Sequence, residues 1–323
     1  MRPFSAVPYP RQDEIHADED GMGFALRMAT RNCITFHDLA RHFASPGHLY
    51  LPAQSASAIA FMFGCTPAKL CHAFVQRQFQ GCSVGAHFLG FDFLRPYHLR
   101  QTHPQLCPIC IREQARALAI WSVSLVTACP VHGIRLIEHC ACGRPISWRR
   151  PSIDTCECGL HLTDAYQHTE QADPREVEVA RQATYLLGTA HFRLHARDAI
   201  LGVFDDVSID TYLRLIWAFG IVEENQSTKP RSANRLLPTD EASMVCCRAH
   251  DRFVQLVSTR SGRLDVNVHT NAFASLRLDY TSASDVRMIE SIAEKLDERS
   301  GSMPRRRCRL TNPQLPLFGE ADD

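Results

Sequence analysis

The chain has 323 residues, 45% hydrophobic and 22% charged, with 35 Lys+Arg balanced by 35 Asp+Glu. That length favours two or three domains. The zero net charge argues against tight, sequence-independent nucleic-acid binding, which an excess of basic groups drives, and no apolar run reaches the roughly 18 residues of a membrane span.

The opening Met1-Arg2-Pro3-Phe4-Ser5 lacks the apolar core of a signal peptide and turns acidic at Asp18, Glu19 and Asp20. A reducing, cytoplasmic compartment is therefore expected, where clustered cysteines read as metal ligands sooner than as disulfides. From Met22 to Arg31, Phe24, Ala25, Met28 and Ala29 recur at helical spacing. Thr35, with Asp38 three residues on, can cap a second helix burying Leu39, Ala40 and Phe43, which Pro46-Gly47 would end. Ile59, Met62 and Phe63 form an apolar face that stops at Gly64; Thr66 as N-cap and Pro67 at the first position then start a helix carrying Leu70, Ala73 and Phe74. Helix, short glycine turn and capped helix read as a helix-turn-helix, although a plain helical hairpin has the same pattern.

Seven of the 14 cysteines fall between Cys107 and Cys158. Cys107-Pro108-Ile109-Cys110 and, after 18 residues, Cys129-Pro130-Val131-His132 supply four soft or borderline donors suited to tetrahedral Zn²⁺. Each pair sits on a turn, with Gly133 allowing a conformation that a Cβ would hinder. Cys140-Ala141-Cys142-Gly143 and Cys156-Glu157-Cys158-Gly159 flank a 13-residue spacer and form a second four-donor set. These pairs are one residue tighter than the usual knuckle, and the neighbouring His139 and His161 could replace a thiolate. Four protein donors leave no open coordination position, which marks structural ions and not catalytic ones. No H-E-x-x-H, deaminase, P-loop or nucleophile-elbow motif is present, so no catalytic residues are assigned.

Beyond the cysteines, Val177 to Leu187, Ile209 to Phe219 and Asp285 to Leu296 read as amphipathic helices, and Leu256-Val257 and Leu264 to Val268 as short strands. The expected architecture is mainly α with small β. A helical, helix-turn-helix-like region spans 1–98, a tandem zinc-binding module 99–168, a mainly helical domain 169–303, and a tail with Arg305, Arg306 and Arg307 spans 304–323.

The sequence resembles the TniQ family over roughly residues 1–165. The residues carrying the likeness are Pro8-Tyr9-Pro10, the acidic-to-helical stretch from Asp18 to Arg31, Gly64-Cys65-Thr66-Pro67, Leu106 to Cys110, Trp121, Cys129 to Gly133, Leu136, and Cys140 to Gly143. The resemblance implies a helix-turn-helix region with two zinc sites, held by Cys107, Cys110, Cys129 and His132 and by Cys140, Cys142, Cys156 and Cys158. It implies a non-enzymatic targeting adaptor of DNA transposition that connects target DNA to the transposon's ATPase and transposase. The acidic opening and the C-terminal part depart from the family's pattern, leaving the target unassigned. Lys69 and Arg77 on the second helix pair, Arg149 and Arg150 between the last cysteine pairs, and Arg305 to Arg307 are the candidate DNA contacts. A protein scaffold that binds a guide or ATPase complex without touching DNA is the alternative, and a homodimer is left open.

Overall fold

A computed structural model describes residues 6–44, 50–80, 83–164, 169–188, 200–221, 236–259, 266, 268–280 and 282–296. Helix α1 (Gly21–Arg31) starts where the Asp20 carboxylate accepts hydrogen bonds from the backbone N–H groups of Met22 and Gly23, at 2.8 and 3.1 Å. A Cβ on Gly23 would lie 2.6 Å from the Ala117 Cβ, so glycine there is what lets α1 lie against the metal-bearing segment. Helix α2 (Phe36–Phe43) begins with the reciprocal Thr35–Asp38 box expected from the sequence.

Helices α3 (Ala56–Phe63) and α4 (Pro67–Ala73) form the expected hairpin, broken by Gly64 at φ 74°. Thr66 does occupy the N-cap position, but its side chain makes no cap bond. Its backbone N–H and its hydroxyl instead donate to the Glu14 carboxylate, both at 3.0 Å. A three-stranded antiparallel sheet follows in the order β1 (Gln76–Gln80), β2 (Ser83–Phe88) and β3 (Phe91–Phe93). The β2–β3 connection is Leu89-Gly90, with both residues at positive φ (55° and 88°), the conformation of a two-residue hairpin turn.

Among the described residues this sheet holds the named strands, and the expected strand at Leu256-Val257 is overturned. Those residues belong to the last turn of α8 (Thr239–Ser258), because buried Val245, Ala249, Phe253 and Leu256 keep helical spacing to its end. Of the strand expected at Leu264 to Val268, most residues lie outside those described. So do Pro46-Gly47 and the tail arginines Arg305, Arg306 and Arg307. Arg77 is also corrected: it lies on β1, past the end of α4, and not on the helix pair.

After the short helix α5 (Pro108–Gln114), the chain runs through turns and isolated bridges to α6 (Pro174–Leu186), which opens with an Asp173–Glu176 capping box. Helix α7 (Ile209–Gly220) is buried along its whole length. A Cβ on its Gly220 would collide with the Val245 carbonyl oxygen, so glycine sets how closely α7 and α8 approach. Asp210 of α7 accepts a 2.9 Å bond from the Leu94 backbone beside β3. Arg214, one turn on, donates to the carbonyls of Asp279 and Ser275 at 2.6 and 2.8 Å. Those residues lie at and just beyond the end of α9 (Thr270–Leu278), and α10 (Ala283–Lys295) closes the described fold. One contiguous apolar cluster runs from Ile15 through the cysteine-rich segment to Ala293, so the metal-ligand residues are framed by helices on both sides.

Candidate metal centres

The first cluster is assembled from a helix start and a turn. Cys107 is the N-cap of α5, Pro108 fills the first helical position, and the Cys107 sulfur accepts from the Cys110 backbone N–H at 3.4 Å. The Cys129 sulfur accepts from the His132 N–H at the same distance, in a turn closed by Gly133 (φ 63°) donating to the Cys129 carbonyl at 2.9 Å. Adjacent bridges, Ala128 with Arg135 and Leu106 with Ile137, hold the two pairs together.

The resulting donor atoms face one point. His132 Nδ1 lies 3.5, 3.2 and 3.5 Å from the sulfurs of Cys107, Cys110 and Cys129, and the last two sulfurs are 3.6 Å apart. A tetrahedral ion with bonds of about 2.3 Å to sulfur and about 2.05 Å to nitrogen needs S···S near about 3.8 Å and S···N near about 3.6 Å. The set fits. Without a cation the thiols cannot all be anionic: hydrogen bonds from Cys107 and Cys110 hold Cys129 far below its ordinary value, while hydrogen bonds with Cys107 and Cys129 push Cys110 far above it. A bound cation removes that conflict by stabilising every thiolate at once. His132 turns its other nitrogen, Nε2, to the Glu113 carboxylate at 3.1 Å, which fixes the ring for coordination through Nδ1. Glu113 was not singled out from the sequence, yet its position three residues after Cys110 on one helix was a readable signal.

The second cluster uses two near-identical turns. Gly143 donates to the Cys140 carbonyl at 2.8 Å and Gly159 to the Cys156 carbonyl at 2.9 Å, with φ of 82° and 88°. Cys140 and Cys156 each donate their own N–H to the carbonyl four residues on, at 2.9 Å. The positive φ at both glycines is what lets the tight pair bend both sulfurs to one side. All four sulfurs lie within 4.8 Å of one another, and Cys140 and Cys158 are 3.8 Å apart, again the tetrahedral spacing. The Leu160 backbone N–H lowers the Cys158 thiol to about 7. His139 and His161 point elsewhere: each is more than half exposed and faces its own neighbour, Glu138 or Asp154, at 3.9 Å. Both clusters can hold a metal ion.

The loop between the last cysteine pairs bears on the nucleic-acid candidates. Arg149 is exposed. Arg150 is 1% exposed, and its guanidinium donates to the carbonyls of Ser147 and Ile153 while lying 5.1 Å over the Trp148 ring. It cannot reach a phosphate, and burial lowers its pKa to about 10. Arg150 is therefore a packing residue, and its expected DNA contact is withdrawn. Trp148 donates from Nε1 to the Gln101 carbonyl at 3.1 Å, and Thr30 of α1 donates to the Pro151 carbonyl at 3.2 Å, so this loop docks on the N-terminal helices. Lys69 is exposed on α4, 4.0 Å from Glu14.

Residues 10–136 match the model of the TniQ family. This stretch of the chain is similar to the TniQ family. The match takes in the α3–α4 hairpin and the whole first cluster, and ends before Cys140. TniQ is a transposition-associated family. No curated protein matches the chain. Among the described residues no helix is long and apolar enough to cross a membrane.

Proposed function

We propose that this protein is a zinc-containing targeting adaptor of DNA transposition, which selects target DNA and links it to the transposon's ATPase and transposase. The TniQ match over residues 10–136 carries this reading, because it includes the complete Cys107, Cys110, Cys129 and His132 set. Zinc is the ion that sulfur-rich donors at tetrahedral spacing favour. Each ion would be enclosed by four side chains, with no position left for a reactive water. The two ions are then structural and the adaptor does no chemistry of its own. It works in the cytoplasm with the ATPase and transposase, and a homodimer is compatible with this role.

DNA contact falls to Lys69, Arg77 and Arg149, with Arg305, Arg306 and Arg307 as further candidates on sequence grounds. The second reading is a protein scaffold that binds a guide or ATPase complex without touching DNA, and the zero net charge favours it. Two measurements test the proposal. Elemental analysis of the purified protein is expected to find two equivalents of zinc, and much less than two would remove the metal assignment. Salt-dependent DNA binding of wild type against Arg149→Ala is expected to differ in slope by about one. Retention of neighbouring transposon proteins with no binding to bare DNA would favour the scaffold.

A further inference from the structure

Neither metal cluster uses the β1–β2 hairpin, and its surface is unusual. The register pairs Phe79 with Val84 and Arg77 with Ala86. By strand alternation Arg77, Phe79, Val84, Ala86 and Phe88 share one face. At the base of the hairpin this face is core, with Ala86 and Phe88 at 1% and 0% exposure. Further out it leaves the body of the protein: Val84 is 38% exposed and Phe79 72%, the highest among the exposed large hydrophobics of the described residues. The hairpin is rooted on the end of α4, where Gln76 Nε2 donates to the Cys71 carbonyl and Leu89 donates to that of His72, at 2.9 and 2.8 Å. Neither strand contains a carboxylate. The nearest one, Asp92 of β3, is taken by His87 at 2.8 Å and Gln78 at 3.4 Å.

We propose that this hairpin is a wing that enters the minor groove of target DNA, with Phe79 wedged at a base step and Arg77 beside the backbone. The proposal rests on the reading that the protein touches DNA directly, and it names the element that does so. Minor-groove proteins combine Arg and Gln side chains with an apolar wedge that unstacks a step and bends the duplex. Arg77 and Phe79 present the arginine and the wedge on one face, while Gln76 and Gln78 alternate to the other and bond Cys71 and Asp92. A ribbon without carboxylates approaches phosphates with no like-charge repulsion, whereas α4 brings Lys69 already beside Glu14. The Arg77 guanidinium is positioned by its own contacts, lying 6.0 Å over the Tyr50 ring with Nε donating to Gln101 at 3.1 Å.

The full-length, zinc-loaded protein tests the idea on a short duplex carrying fluorophores at both ends, with anisotropy reading affinity and energy transfer reading the bend. Phe79→Ala is expected to weaken binding roughly tenfold and to abolish the bend, while Phe79→Trp keeps both. Arg77→Ala is expected to lower the salt slope by about one and leave the bend in place. Melting curves establish that each variant is folded, which the exposure of Phe79 favours. If wild type binds and Phe79→Ala binds and bends DNA equally well, the wing is overturned and direct DNA contact survives elsewhere. If wild type shows no salt-dependent binding, both fail. Loss of ATPase association in Phe79→Ala, with DNA binding intact, would assign the hairpin to a protein partner and overturn the proposal.

Discussion

Cys107, Cys110 and Cys129 are wholly buried, whereas Cys142 and Cys158 of the second cluster face solvent. All three cysteines of the first cluster pack in the apolar core beside Leu106, Ile111 and Trp121, whereas of the second cluster's four only Cys140 and Cys156 do. The second staples a turn-rich loop whose own apolar content is small, chiefly Ile146, Trp148, Ile153 and Leu162. Nearly the same donor chemistry thus does two jobs. One ion would hold the centre of a fold, and the other would hold an appendage in place. Burial decides the difference, because water and chelators reach two of the four sulfurs in the second cluster directly.

The largest expected effect follows from that contrast. Cys110→Ser should cost on the order of 10 kcal/mol, the scale of a structural zinc site, and abolish the cooperative melt. Cys142→Ser should lose one equivalent of metal yet keep that melt; thermal scans paired with elemental analysis decide it. A chelator titration should likewise empty the Cys140–Cys158 set first, and simultaneous release of both ions would show that burial does not separate the two sites. Next is Trp148→Ala, expected to cost about 3–5 kcal/mol for a buried indole. Metal content should stay at two equivalents, since the variant undocks the loop without touching a ligand; urea unfolding measures the loss.

Glu113→Gln perturbs the buried cluster instead. It should weaken metal at the first cluster by about 10–100-fold and leave the second unchanged, as read by competition with a chromogenic chelator. Acid attacks both clusters over a background set by His98. Burial pushes that imidazole down from 6.5 to about 3, and both ring nitrogens lack a partner. The folded state therefore binds fewer protons than the unfolded one below pH 6.5. Stability from this residue is complete above that pH and falls by about 1.4 kcal/mol per unit as the pH drops toward 3. His98→Phe should remove this acid dependence, worth about 2 kcal/mol at pH 5 relative to neutral pH, in denaturation at stepped pH. The smallest effect belongs to Gly159→Ala, about 1 kcal/mol for forcing a Cβ into positive φ, visible as a lower melting point for the second cluster alone.

Much of this was legible locally. The Thr35–Asp38 box, the Gly64 stop and the start of α4 at Pro67 depend on neighbouring residues, as do the turns that pair Cys107 with Cys110 and Cys156 with Cys158. Short-range patterns hold such information because the partners are only a few residues apart. The sheet was missed for the opposite reason: Gln76-Arg77-Gln78-Phe79 has no apolar alternation, and its strand character comes from pairing with Ser83–Phe88 over a core edge. Leu256-Val257 misled because two apolar residues say nothing about the helical spacing of the buried Val245, Ala249 and Phe253 before them.

The order of residues alone named the side chains that could bind metal and the family that the first part of the chain resembles, since ligand type and spacing are covalent facts. Only the tertiary structure decided that Arg150 is buried under the docked loop while Arg149 is free, that His139 and His161 stand outside the second cluster, and that Glu113 braces His132. Two adjacent arginines carry the same charge in a sequence. Which of them meets water depends on how the loop carrying Trp148 docks on Gln101 and Thr30, partners that lie tens of residues or more away along the chain and that folding alone brings near.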